Sequence, residues 1–244
     1  MNQRPQPRIA LPTYLQKTLL IAVLVALALV MAGKLVVPST SLLSLAAAST
    51  ILFIYWGLAA FAPFRLHLRD PDILRLAIPF GLLAGAIFSG EIILEYILLP
   101  KDNSLFRILE FGSVLTLYLA SAFVSALWSR SIKNAVLTSA ASAFIASLIW
   151  LIAVLVVFHA FRGSPRQALV LRAEGDYEDF ARSGMSDFNA FIMEDFMGAA
   201  FFHLLLGPIV AAILGVLGGA AGKAIAAALL KRCKTEKPAS GDMM

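Results

Sequence analysis

Charge is scarce in this chain: 14% of its 244 residues are Asp, Glu, Lys or Arg, where a soluble domain carries about a quarter. So few charges cannot cover a hydrated surface of that size, which excludes an ordinary soluble globule. Cysteine is nearly absent as well. Cys233 stands alone among Lys231, Arg232 and Lys234, so neither a disulfide within the chain nor a cysteine-built metal site can form. The sequence holds no HExxH, no GxSxG and no glycine-rich loop after a strand, which removes the common zinc protease, serine hydrolase and nucleotide-driven signatures. Gly222-Lys223 comes nearest to a phosphate loop, but Leu217 stands where its first glycine belongs and Ala224 where its hydroxyl residue belongs. No enzyme class and no cofactor is predicted. Period-two alternation, the mark of membrane barrels, is missing too.

What the chain has in excess is apolar surface: 60% of its residues are hydrophobic and the mean hydropathy is +0.84. These residues come in blocks of about twenty, the length that spans ~30 Å of hydrocarbon at 1.5 Å per residue. The prediction is an all-α, polytopic membrane bundle of about six transmembrane helices in a single membrane domain. A tail of residues 1–17 precedes spans at 18–37, 42–64, 73–99, 108–128 and 135–161. The first span is read as uncleaved because no A-x-A site closes it. Residues 162–190 form an acidic loop, opened by Gly163-Ser164-Pro165 and carrying Glu174, Asp176, Glu178, Asp179 and Asp187. It has room for a short helix over the membrane surface.

The last apolar stretch, 191–230, exceeds one bilayer crossing. We read it as one long helix kinked near Pro208 rather than a re-entrant piece followed by a span, since membrane helices tolerate proline. A basic tail, 231–244, follows. Six spans put both termini on one side, and that side collects thirteen of the 20 Lys and Arg residues, so the positive-inside rule makes the termini cytoplasmic and the acidic loop external. The expected setting is a bacterial cell membrane, inner or plasma. Basic residues at segment ends are anchors, so no nucleic acid partner is expected. The bilayer is the expected partner, with a second membrane protein or a homo-oligomer left open. In outline this plan resembles small bacterial membrane proteins such as vitamin-uptake specificity subunits, and outline alone assigns no activity.

Polar groups at depth are where function is sought, because a carboxylate in hydrocarbon costs ~2.5–3.5 kcal/mol even on the mildest scales. Glu91 and Glu95 lie four apart, hence on one face of the third span, in its outer half. Lys34, Glu110, His159, His203, Glu194 and Asp195 fall at similar depth by topology. This set is the candidate polar or cation site. Carboxylate with imidazole suits a cation, a cationic solute or proton passage, while the competing reading has Glu91 pairing with Lys34 or a histidine merely to hold helices together. No metal site is assigned. Gly215, Gly218, Gly219 and Gly222 in the last span, and Gly81 and Gly85 in the third, are read as packing faces. So are Ser121, Ser125, Ser129, Ser139 and Ser142. The leading functional expectation is a structural or accessory membrane protein, ahead of a transport or solute-binding subunit and of a lipid-modifying enzyme.

Overall fold

The structure, a computed structural model, describes residues 10–98 and 104–235. These form eight α-helices and, among the described residues, no strand. α1 (Ala10–Val36) and α2 (Leu42–Arg69) are joined by a short turn, and Ser41 caps α2 by accepting from the Leu43 amide. Asp70 adopts an extended backbone that ends α2, and its Oδ1 accepts from Asp72 N to start α3 (Pro71–Leu98) with proline at the first helical position. α4 (Ser104–Ser129) turns through Arg130, at φ 55°, into α5 (Ile132–Phe161), which Ser131 caps through the Asn134 amide. Asn134 then ties this turn to the other one on the same side: its Nδ2 donates to Asp70 Oδ2 and its Oδ1 accepts from Arg69 Nε.

The acidic segment holds two short helices. Ser164 caps α6 (Pro165–Glu174), and Gly175 ends it in the left-handed region at φ 90°, where an L side chain would be strained. α7 (Asp176–Ser183) follows directly, and α8 (Phe188–Thr235) closes the fold.

Six of the helices, all but α6 and α7, are long and apolar enough to cross a membrane. α5 is the central one, touching α1, α3, α4 and α8, and buried residues recur along it from Asn134 to Phe158. Around it the outer faces of the other spans expose residues such as Leu35, Phe53, Phe61, Leu82 and Leu217, an apolar girdle that suits lipid and would aggregate in water. This is the architecture of a multi-pass membrane protein. The predicted spans coincide with these helices, although α1 already begins at Ala10, inside what the sequence reads as a tail. Residues 99–103, which include Pro100 and Lys101, lie outside the described residues, as do 236–244 of the basic tail.

Backbone approach sets the packing. A Cβ on Gly81 would lie 2.7 Å from the Ser142 carbonyl oxygen, and one on Gly85 would lie 2.9 Å from Ile149 Cδ1, so α3 seats directly on α5. α8 does the same twice. Gly218 and Gly222 face the carbonyl oxygens of Leu119 and Phe123 on α4, while Gly215 and Gly219 face Val136 and Ala135 on α5. Buried hydroxyls add hydrogen bonds between α4 and α5: Thr138 Oγ1 donates to Ser125 Oγ at 2.9 Å and Ser139 Oγ to the Tyr118 carbonyl at 3.0 Å. The glycine and serine faces are thus occupied by packing within the chain.

α8 runs unbroken through Gly207-Pro208. At 48 residues it is roughly 72 Å long, more than twice the hydrocarbon thickness. Contacts with neighbours locate the excess. Glu194 bonds the α1–α2 turn at one end, and Gly219 lies against Ile132 and Ala135 at the other. The 25 residues between them (219 − 194) measure roughly 38 Å, one bilayer. Gly222 still lies against Phe123 and Ala126 of α4 and Ala226 is buried, so the surplus that extends past the turns Asn134 joins begins after Ala226.

Candidate functional site

Glu91 sits seven residues before the end of α3, roughly 10 Å inside that helix terminus. Such a carboxylate must find water, a partner or a proton, and the structure gives it a cavity of about 310 Å³. From α3, Phe88, Glu91, Glu95 and Tyr96 face this space, following the three- and four-residue spacing of one helical face. α4 contributes Glu110, which is 6% exposed, and Phe111. α5 supplies Trp150, and α8 supplies Asp195 and His203, roughly 12 Å apart along its axis. The α6–α7 segment lies across this end of the bundle and lends Glu174 and Asp176.

Five of the eight predicted polar residues therefore meet: Glu91, Glu95, Glu110, Asp195 and His203. Among the described residues none of the side chains lining the cavity is Lys or Arg. His203 is held in an aromatic setting, with its ring 4.2 Å from that of Trp150 and 5.4 Å from that of Phe88, while its carbonyl accepts from Ser147 Oγ.

The other three predicted residues are elsewhere, and each is engaged by backbone. Lys34 Nζ donates to the Pro38 and Thr40 carbonyls at 2.6 and 2.7 Å, so it closes the α1–α2 turn and forms no pair with Glu91. Glu194 accepts from Ser41 N at 2.7 Å and Ser44 Oγ at 3.0 Å, bracing the start of α2. His159 meets the Leu29 carbonyl at 3.0 Å and ties α5 to α1. All three share the depth of the cavity but face α1 and α2.

Glu174 and Asp176 were not in the predicted set, because the sequence assigns them to the acidic loop outside the spans. Their signal was local: Ser164-Pro165 begins a helix, Gly175 ends it, and Asp176 starts the next, a pattern that folds the segment back over the bundle. Asp176 is the most perturbed acid outside the spans. Burial, and then the neighbouring charges of Glu174, Asp195, Asp179 and Glu178, push its carboxyl up to about 7. Its Oδ2 is buried with no hydrogen-bond partner among the described residues. Asp187 goes the other way: the Ser39 hydroxyl, then the amides of Ala190 and Asn189, donate to it and hold it below the usual carboxylate range. It fastens the end of the cap to the α1–α2 turn and starts α8.

Among the described residues, no three His, Cys, Asp or Glu side chains converge closely enough to hold a metal ion. The carboxylates ring the cavity instead of meeting at a point, an arrangement that gives a negative chamber with aromatic walls. No protein-family model matches the chain, and no curated protein or solved structure is significantly similar to it.

Proposed function

We propose that this multi-pass membrane protein is a cation-binding subunit, of transport or solute-capture type, in a bacterial cell membrane with both termini cytoplasmic. Six carboxylates and one imidazole turned onto a single cavity, with Glu91 set inside a span, carry this reading. A carboxylate at the depth of Glu91 is costly, and a bound cation offsets the cost. The rival reading, an accessory protein whose acids serve packing, has less support: glycine contacts and buried hydroxyls already join α3, α4, α5 and α8 without these acids. Lys34, one of the two kinds of base that would have closed a structural pair with Glu91, is engaged in the α1–α2 turn, while a histidine, His203, does line the cavity.

The test is thermal unfolding of the protein purified in detergent, with chloride salts of sodium, calcium, magnesium and small ammonium ions at matched ionic strength. At least one cation raises the midpoint of the wild-type protein by mass action and leaves a Glu91→Gln, Glu95→Gln double variant unmoved. If no cation stabilises the wild type selectively, the proposal fails.

A further inference from the structure

Accepting that the cavity binds a cation, we infer that its ligand is an organic ammonium ion and not a bare metal ion. Size is the first argument. At about 310 Å³ the space is roughly ten times the ~30 Å³ that a water molecule occupies in the liquid, and it falls at the lower end of small-molecule sites. A metal ion would need three or more oxygens drawn to one point. Here the described acidic and histidine side chains do not gather that way.

The walls make the second argument. Trp150 lies against His203, and Phe88 packs edge-on to Phe111 at 5.6 Å between ring centroids, so aromatic surface from α3, α4 and α5 borders the same space as the carboxylates. Aromatic faces give a hydrated metal ion little, but they attract a weakly hydrated alkylammonium through the ring quadrupole. Tyr96 is the third observation. It is 4% exposed and lines the cavity, and although it approaches Gln167 its hydroxyl makes no hydrogen bond of ordinary geometry among the described residues. A polar substituent on the ligand would satisfy it. Carboxylates for the charge, rings for the alkyl groups and one buried hydroxyl for a polar end describe a small amine or quaternary ammonium compound.

Choline is a suitable probe because 3,3-dimethylbutan-1-ol has the same shape without the charge. Binding of both is measured calorimetrically to the full chain in lipid nanodiscs, with sodium and calcium chloride run alongside. The expected result is saturable choline binding, at least tenfold tighter than that of the neutral alcohol, weakened about tenfold by Trp150→Leu and changed less than threefold by Trp150→Phe. Phe111→Leu, at a half-exposed ring, serves as the second aromatic variant should Trp150→Leu fail to fold, and it should weaken choline several-fold. If sodium or calcium binds and choline does not, the ammonium assignment falls while the cation-binding proposal stands. If nothing binds, or the neutral alcohol binds as tightly as choline, both fall. Choline binding that is indifferent to both aromatic substitutions overturns the wall argument and the assignment with it.

Discussion

Asp176 carries a proton at pH values where an exposed aspartate does not, and the cause is burial followed by the charges of Glu174, Asp195, Asp179 and Glu178. Its folded value of about 7 lies above the 3.8 of the free side chain. The folded chain therefore holds the extra proton between those values, and by linkage its stability falls as pH rises through that window. The contribution is complete below about 3.8 and gone above about 7. Asp176→Asn removes the titration, so the variant should match wild type near pH 4 and exceed it at pH 8. The gain is on the order of 1 kcal/mol once solvent screening of a half-buried group is allowed for, or about 2–4 °C in melting temperature. Melting curves across that pH range decide it, and an unchanged difference between pH 4 and 8 refutes it.

Glu194 and Asp195 show what could be read at the residue scale and what could not. Topology placed both at similar depth. Helix geometry turns neighbours about 100° apart, so one braces the start of α2 while the other faces the cavity. Azimuth depends on which helices flank α8, and that was hidden in the sequence. The same limit explains Lys34 and His159, whereas Glu91 and Glu95 were legible as a pair because their spacing alone fixes a shared face. The two acids should separate functionally. Glu194→Ala should cost about 1–3 kcal/mol in unfolding free energy by orphaning the Ser41 amide and leave cation affinity intact. Asp195→Asn should do the reverse. Exchange of these outcomes would undo the assignment.

At the scale of elements, each span was visible as an apolar block, which is why α2 to α5 begin and end within about five residues of expectation. For α6 and α7 the sequence showed only room for one short surface helix, because they are short and polar, held by capping and by contact with the bundle rather than by periodicity. The glycines of α8 make the sharper prediction. A Cβ on Gly222 would lie 2.4 Å from the Phe123 carbonyl oxygen and 3.0 Å from Ala126 Cβ, and a helical carbonyl cannot move aside without shifting α4. Gly222→Ala should destabilise by about 1–3 kcal/mol through overpacking. Gly57, inside α2, has nothing within 4 Å of the same position, so Gly57→Ala should be neutral or stabilise by up to about 1 kcal/mol from helix propensity. Unfolding in mixed micelles compares the two directly. Equal effects would mean that α8 does not seat on α4 as described.

For the whole molecule, the overhang of α8 and the cap lie at opposite ends of the bundle. The cap joins the α1–α2 turn through Ser39 and Asp187, while α8 beyond Ala226 passes the end marked by Asn134 and carries Lys231 and Arg232. By the positive-inside rule that basic end is expected in the cytoplasm, and the cavity is then expected to open outward. Two cysteines introduced into a Cys233→Ser background test this. Ala181→Cys on α7 and Ala228→Cys on the α8 extension are both exposed positions. A membrane-impermeant maleimide should label position 181 in intact cells and position 228 only after permeabilisation. The opposite pattern would leave the fold and the cavity intact and reverse their meaning: the carboxylates would then face the cytosol, and the site would draw its cation from inside the cell.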